Sequence, residues 1–316
     1  MKNGVEFRIA ISPYPALLRR VHFIAASLKQ LGGPGIDHEI VVCVGEDVEP
    51  YNLYESEPWS TLYPLTWRWA PREAFQRDGY WENARELFRQ HGRRKYVAFI
   101  NNDILFTRDF SDLISQLDAS PAVAGVIAHR QPFGSPKEPP SVIWSRLFDG
   151  YGVTPAPLIY EHPGWNLLPG DDNPNDRLAP VYYNFAFVIA PYQMADKISG
   201  DMIAADRFAA ANITTNKSFQ VGLTLCIQKH GLPAISIPHR YNFPNDPLFE
   251  KKFPKELEDV RMIHYTDRSV VHRDKDLQSL GAVAALIARR DLTGSNEILR
   301  RHMEKLYPIV AEEELG

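Results

Sequence analysis

Short apolar runs recur along the first 130 residues of the chain and are separated by longer stretches of mixed polarity. Apolar runs that polar residues rarely interrupt are typical of strands in parallel sheets, which are covered on both faces. The pattern predicts strands at 7–11, 39–45, 66–70, 96–100 and 123–128.

Between these strands, apolar residues recur at the three- and four-residue spacing of amphipathic helices. In 17–31 one face carries Leu17, Val21, Ile24, Leu28 and Leu31, and the Gly-rich segment 32–35 ends the helix. The same spacing predicts helices at 80–90, 111–117 and 219–230, and the tail predicts two more at 277–290 and 295–306.

Regular patterning fades between residues 131 and 178, a segment rich in Pro, Gly, Asp and Asn. Loops of this length are usually functional, and we predict that this one forms a lid over a binding site. Strands resume at 181–190, 234–237 and 261–265. Strand–helix alternation followed by a mixed region predicts an α/β fold with a mostly parallel central sheet flanked by helices. Ligands of such sheets bind beyond the carboxyl ends of the strands.

The composition is that of an ordinary globular protein, with 44% hydrophobic and 23% charged residues among 316. We predict one catalytic domain at 1–275 and a helical extension at 276–316, which either docks on the core or builds a homo-oligomer. A net charge of −4 argues against a nucleic-acid partner. Two distant cysteines suit a reducing compartment, and neither a signal peptide nor a membrane span is evident, so we predict a cytoplasmic protein.

Asp103 is the first residue that suggests chemistry. It follows the apolar run 97–100 and precedes the apolar run 104–106, so it is expected at the edge of the sheet. A carboxylate held there, with amide oxygens from Asn101 and Asn102 beside it, suits Mg²⁺ or Mn²⁺ bound together with a phosphate. A turn cap would require the same residue type, and the segment alone leaves that alternative open.

The segment 96–106, YVAFINNDILF, resembles the DXD-containing centre of the GT-A-fold glycosyltransferases, most of all the retaining enzymes of family 8. Four further segments follow in the order of that family: 182–189 YYNFAFVI, 219–223 FQVGL, 232–242 LPAISIPHRYN and 261–265 RMIHY. The resemblance spans roughly residues 7–268. It implies a GT-A fold and the transfer of a sugar, with retention of configuration, from a UDP- or GDP-sugar to a carbohydrate or other hydroxyl acceptor.

Within that resemblance, Asp103 and His264 match the ligands of the Mn²⁺ or Mg²⁺ cofactor. Gln220 matches a catalytic glutamine that faces the donor sugar, and Asn184 lies on the strand that frames the sugar. The remaining nucleotide-sugar contacts implied by matching positions are Ser12, Tyr14, Arg85, Asn101, Asn102, Asn242 and Arg268. Arg273 and His272 are alternatives to Arg268 as the phosphate-binding residue.

The chain departs from the family pattern at Asn101, where the motif has its first Asp, and at Phe219, where an Asp precedes the glutamine. These departures keep open a non-catalytic protein that binds nucleotide sugars or carbohydrate. A sugar-phosphate nucleotidyltransferase is a second alternative. It would require a Gly-rich basic loop after the first strand, where this chain has Ser12 and Pro13.

Overall fold

The computed structural model describes residues 2–31, 37–89, 92, 94–133, 138–167, 173–214, 217–267 and 269–315. Within these residues the strands are β1 (Lys2–Ile11), β2 (His38–Val44), β3 (Leu65–Trp69), β4 (Arg94–Ile100), β5 (Ile104–Phe106), β6 (Val123–Ile127), β7 (Tyr160–Glu161), β8 (Leu178–Ala179), β9 (Tyr183–Pro191), β10 (Ala234–Ser236), β11 (Phe243–Pro244) and β12 (Met262–His264).

The α-helices of the same residues are α1 (Pro15–Leu31), α2 (Leu53–Ser56), α3 (Arg72–Asp78), α4 (Tyr80–Arg89), α5 (Ser111–Ala119), α6 (Pro140–Tyr151), α7 (Tyr192–Asn212), α8 (Ser218–Lys229), α9 (Pro247–Lys252), α10 (Pro254–Leu257), α11 (Arg273–Asp276), α12 (Leu280–Ala288) and α13 (Gly294–Leu315). Short 3₁₀ turns occur at Pro58–Leu62, Pro174–Asp176 and His239–Tyr241.

Seven strands form the central sheet in the order β10-β6-β9-β4-β1-β2-β3. Neighbouring strands are parallel except at β9, which runs antiparallel to both β4 and β6. A smaller sheet, β11-β12-β5, extends from the end of β4 and pairs β12 antiparallel with β5. The predicted α/β architecture with a mostly parallel sheet is therefore confirmed.

Side chains of β1 show how the sheet separates two cores. Phe7 and Ile9 point into one apolar layer, which α1, α5, α12 and α13 cover. Ala10 points into the opposite layer, which α4, α6, α7 and α8 cover. Arg8 lies on that second face as well, where it is buried and pairs with Glu6 at 2.7 Å. Burial on both faces explains why the strand sequences are almost continuously apolar.

Helix α6 lies inside the segment 131–178 that the sequence analysis treated as an irregular lid, and this part of the prediction was wrong. Its buried face consists of Ile143, Trp144, Leu147 and Phe148. Burying such side chains stabilises a fold by roughly 1.5–3 kcal/mol each. Like α6, the long helix α7 was not predicted by the sequence analysis. It packs along α8.

The C-terminal helices dock on the body of the same chain. Val283 and Leu286 of α12, together with Leu299 and Met303 of α13, are buried in the apolar layer beneath the sheet. At the end of α13, Glu314 forms an ion pair with Arg19 of α1 at 2.9 Å. The apolar faces of the tail are therefore covered without a second copy of the chain.

No helix of the described residues combines the length and the hydropathy that crossing a membrane requires.

Candidate active site

A cavity of about 570 Å³ opens at the edge of the central sheet where β4 ends. Five residues singled out from separate parts of the sequence line it: Asn101, Asp103, Asn184, Gln220 and His264. The structure thus brings together the central residues of the predicted site. The carboxyl ends of parallel strands meet at one edge, which is why residues so distant in sequence converge here.

Three elements hold these side chains in place. Asn101 and Asp103 leave the end of β4, and Asn101 donates its backbone N–H to Ala186 of β9 at 3.1 Å. His264 ends β12, which is tied to the segment after β4 because the backbone N–H of Tyr265 donates to the carbonyl of Asp103 at 3.0 Å. The site is therefore built on hydrogen-bonded strand ends.

Asp103 is 3% exposed, so its carboxylate needs a partner. Oδ1 lies 3.2 Å from Nε2 of His264, and Oδ2 contacts the guanidinium of Arg273 on α11. Both of these partners lie on a distant part of the chain. Neither carboxylate oxygen is directed at the turn that follows Asp103, which argues against the turn-cap alternative.

His264 is a neutral imidazole with unused bonding capacity. Burial, with a smaller contribution from the charge of Lys217, lowers its pKa to about 3. Neither ring nitrogen has a hydrogen-bond partner, and Oδ1 of Asp103 is likewise unpartnered although buried. Unsatisfied buried polar atoms are costly, and two of them facing each other at 3.2 Å suit a shared cation.

A divalent cation fits these two atoms as part of its shell. Carboxylate oxygen and neutral imidazole are ligands that Mn²⁺ accepts, and ions of this class commonly take their remaining ligands from substrate phosphates and water. The described residues contain no cluster of three or more His, Cys, Asp or Glu side chains placed to hold a metal. The protein by itself thus offers an incomplete site, and a phosphate ligand would complete it.

Asn184 and Gln220 face the cavity from the side of β9 and α8. The side-chain oxygen of Asn184 accepts the backbone N–H of Ala186 at 3.1 Å, so its NH₂ group is left as a donor on the cavity side. Gln220 lies in the first turn of α8, where the hydroxyl of Thr224 donates to its backbone carbonyl at 3.2 Å. The backbone of each residue is thus fixed by secondary structure, and the side-chain amide of Asn184 is fixed as well.

A second group of predicted residues lies beside the first, at the ends of β1 and β2. Ser12 is buried, whereas Tyr14 is 55% exposed and a hydrogen bond to Glu46 raises its pKa. Asn102 donates to the carbonyl of Ala10 at 3.2 Å. We call this group the β1 edge. It adjoins the cavity because Asn102 belongs to it and the next residue in the chain, Asp103, lines the cavity.

Beyond the β1 edge, two of the described contacts that were predicted are not brought to the cavity. Arg85 is buried between α4 and α7, where it pairs with Asp206 at 3.2 Å and with Asp78 at 2.9 Å. Asn242 is fully buried and does not line the cavity. Arg268 lies outside the described residues. The structural surroundings of Arg85 are those of a buried ion-pair cluster that joins two helices.

Sequence reasoning missed several residues of the site. Arg20 of α1 is buried and donates to Asn102 at 3.1 Å, and the available signal was a charge on the apolar face of an amphipathic helix. His129, just beyond β6, lines the cavity, and its position after an apolar strand was the signal. Lys217 and Asp246 also line it, and we find no sequence pattern that would have identified them.

The predicted lid contributes to the cavity through short pieces of chain. Gly164 and Leu167 line it, together with Gln131 at the start of the segment. Trp165 of the same segment donates its indole N–H to the carbonyl of Asn173 at 3.3 Å and is not among the lining residues.

Comparison with solved structures identifies the fold. The crystal structure of the galactosyltransferase LgtC in complex with donor and acceptor sugar analogues matches with a TM-score of 0.52 at 11% identity, over 96% of this chain and 95% of that one. The structure of an active-site mutant of LgtC matches with a TM-score of 0.51 at 12% identity, over 88% and 92%. The chain therefore has the GT-A glycosyltransferase fold, which confirms the fold implied by the sequence resemblance.

The apo structure of mouse xyloside xylosyltransferase 1 also matches, with a TM-score of 0.49 at 8% identity, over 85% of this chain and 99% of that chain. No protein-family model matches the sequence, and no curated protein matches it either.

Proposed function

We propose that this protein is a retaining glycosyltransferase that moves a sugar from a nucleoside diphosphate donor to a hydroxyl acceptor. The observation that carries the proposal is the convergence of Asp103, His264, Asn184 and Gln220 on one cavity at the strand ends of a GT-A fold. The fold alone does not assign the activity, since a fold supports many functions. The site chemistry is what favours transfer from a diphosphate.

The two parts of the site suit the two halves of such a donor. The β1 edge, with Ser12 and the exposed ring of Tyr14, offers a surface for the nucleoside. The diphosphate would then lie beside Asp103 and Arg273, and the sugar would project into the cavity towards Gln220. The acceptor would enter from the side of Gly164 and Gln131.

During transfer, the bond between the anomeric carbon and the diphosphate oxygen breaks, and a bond to the acceptor oxygen forms on the same face of the sugar. The acceptor proton leaves with the diphosphate oxygen. The amide dipole of Gln220 would stabilise positive charge on the sugar, and Asn184 would hold a sugar hydroxyl. The walls of the cavity would exclude water as a competing acceptor.

Asp103 and His264 are the residues that would hold a divalent ion at this site. When bound, such an ion neutralises negative charge on the departing diphosphate. The Arg273 guanidinium, already in contact with Asp103, would add positive charge on the same side. UDP and GDP sugars remain equal candidates as donor.

Binding of the leaving group tests the proposal directly. UDP or GDP with Mn²⁺ is expected to raise the melting temperature, because a ligand that binds only the folded state adds about 2.7 kcal/mol at ~100 times Kd. AMP and inorganic phosphate serve as controls for unspecific anion binding. If no nucleoside diphosphate shifts the melting temperature, with metal or in EDTA, the donor assignment is wrong.

The stereochemistry of the product is a separate prediction. Among the described residues lining the cavity, the carboxylates are Asp103 and Asp246, and Asp246 caps α9 by accepting the N–H of Leu248 at 2.8 Å. Because Asp103 is paired with cations, we expect that no carboxylate is available as the base that an inverting reaction requires. The product should therefore have the anomeric configuration of the donor. The NMR coupling constant of the anomeric proton measures this. An inverted product would assign Asp246 as the base and remove Gln220 from the mechanism.

The non-catalytic alternative predicts a different result with the same reagents. A protein that only binds nucleotide sugars would show the thermal shift but would release no nucleoside diphosphate from any UDP- or GDP-sugar over a long incubation. Slow hydrolysis of one donor without an acceptor, visible as free UDP or GDP, would favour the enzyme.

A further inference from the structure

The contact between Arg273 and Asp103 places a cation of the protein on the carboxylate that would hold the metal. Asp103 is almost fully buried, and a buried carboxylate requires a positive partner. Of the two side chains in contact with this carboxylate, Arg273 carries a permanent positive charge. In the ligand-free protein, Arg273 is therefore the counter-ion of Asp103.

Arg273 is held loosely compared with the other arginine at this edge. Arg20 has 2% of its side chain exposed and is fixed by Asn102 at 3.1 Å and by Asp274 at 2.6 Å. Arg273 lies on the four-residue helix α11, and its side chain is 22% exposed. The buried Nε of each arginine lacks a partner, so the greater exposure and the short helix are what distinguish Arg273. Arg273 is thus a long side chain with an unsatisfied donor on a short helix. It lines the cavity, which gives the side chain space to move.

The two guanidinium groups also repel each other. Arg20 donates to Asn102 and to Asp274, which are the chain neighbours of Asp103 and Arg273. Since Arg273 itself contacts Asp103, the two guanidinium groups lie together. An anion placed between Arg20 and Arg273 would offset this repulsion and satisfy the open Nε donor. The diphosphate of a nucleotide has the charge and the acceptor oxygens for that position.

We propose that Arg273 and a divalent cation compete for Asp103, so that the metal binds tightly only once a nucleoside diphosphate has drawn Arg273 away. This inference rests on the proposed donor. The cation and the guanidinium repel each other, and both need the same carboxylate. A diphosphate resolves the conflict because it attracts both, and by linkage each ligand then strengthens the binding of the other.

Binding of Mn²⁺ alone to the nucleotide-free protein provides the test, measured by calorimetry or by the loss of the free Mn²⁺ EPR signal. Nucleotides chelate Mn²⁺ in solution, so a nucleotide effect in the wild type would not by itself identify Arg273. The decisive variant is Arg273→Gln, which removes the competing charge. We expect it to bind Mn²⁺ at least tenfold more tightly than the wild type when no nucleotide is present.

Arg301→Gln is the matched control, since it removes one positive charge at an exposed site on α13, where Arg301 pairs with Glu297. It should leave Mn²⁺ affinity unchanged. If Arg273→Gln folds poorly because Asp103 is left unpaired, the double variant with Asp103→Asn should restore the melting temperature, as expected for a true counter-ion pair. A double variant no more stable than Arg273→Gln would contradict the pairing.

The outcomes separate this inference from the proposed function. Mn²⁺ affinity in Arg273→Gln that equals or falls below that of the wild type overturns the competition. If UDP and GDP still bind in that case, the donor assignment stands. If neither nucleotide binds to any of the proteins, the donor assignment fails, and the competition proposed here fails with it.

Discussion

Asp103→Asn is expected to reduce turnover by roughly a thousandfold while the protein stays folded. The substitution keeps the size of the side chain but removes the negative charge that faces His264 and Arg273. Metal-ion stabilisation of the departing diphosphate contributes several kcal/mol, and each 1.36 kcal/mol lost is about tenfold in rate. Nucleotide binding that depends on Mn²⁺ should be lost as well, as shown by thermal shift with and without EDTA.

The chain offers a matched control three residues beyond β5. Asp109 is an aspartate that does cap a turn, because it accepts the backbone N–H of Ser111 at 3.0 Å. Asn caps about as well as Asp, so Asp109→Asn should be nearly silent. If Asp103→Asn is as silent as Asp109→Asn, the metal site is wrongly assigned. If the wild type keeps full activity in a chelator, Arg273 and Arg20 must instead neutralise the charge of the departing diphosphate.

The strands of the central sheet could be predicted because their apolar runs are hardly interrupted and face two cores. The predicted strands β4 and β9 also indicated where the site lies, because ligands of such sheets bind beyond the carboxyl ends of the strands. The sequence resemblance added His264 and Gln220, which no periodicity marks. The structure then placed all of these side chains around one cavity.

Helix α6 shows why part of the fold could not be predicted. Its flanks are rich in proline and glycine, and this composition concealed a clear signal: four large apolar residues on one face, proline in the first turn, and Gly152 in the left-handed conformation, with φ of 74°, at the end. The charges of α4 misled for a related reason. Arg85 was predicted as a contact of the nucleotide sugar, but α7, which was not predicted, supplies Asp206 as its buried partner.

Arg20 and Arg273 illustrate the limit for the site itself. The role of an arginine can be inferred only when the partners of its guanidinium are known. The partners of Arg20 and Arg273 at this site lie more than 80 residues away along the chain. Sequence spacing identified Arg273 only as one of several alternatives near His264. The contact with Asp103 is what distinguishes it, and that contact depends on how α11 returns to the end of β4.

Acidification from pH 7 to pH 5 is expected to destabilise the metal-free protein by about 2 kcal/mol for each histidine whose pKa is strongly lowered, hence by about 6 kcal/mol for three of them. Burial lowers the pKa of His264 and His129 to about 3 and that of His239 to about 4, and it lowers the pKa of His162 and His302 as well. Unfolded histidine has a pKa of ~6.5, so below that pH the unfolded state binds more protons than the folded state. This stabilisation is therefore present above pH 6.5 and is lost as the pH drops.

His162→Gln isolates one of these contributions. Nδ1 of His162 lies 2.7 Å from the carbonyl of Ala128, and a glutamine amide can donate there without titrating. Carboxylates such as Glu297, whose pKa is lowered to about 2, lose their stabilising effect mainly below pH 5 and do not confuse the measurement. In urea unfolding with EDTA at pH 7 and pH 5, the loss of stability should be smaller in His162→Gln than in the wild type, by up to about 2 kcal/mol. An undiminished loss would mean that the other buried histidines carry the pH dependence and that the burial of His162 does not keep its imidazole neutral.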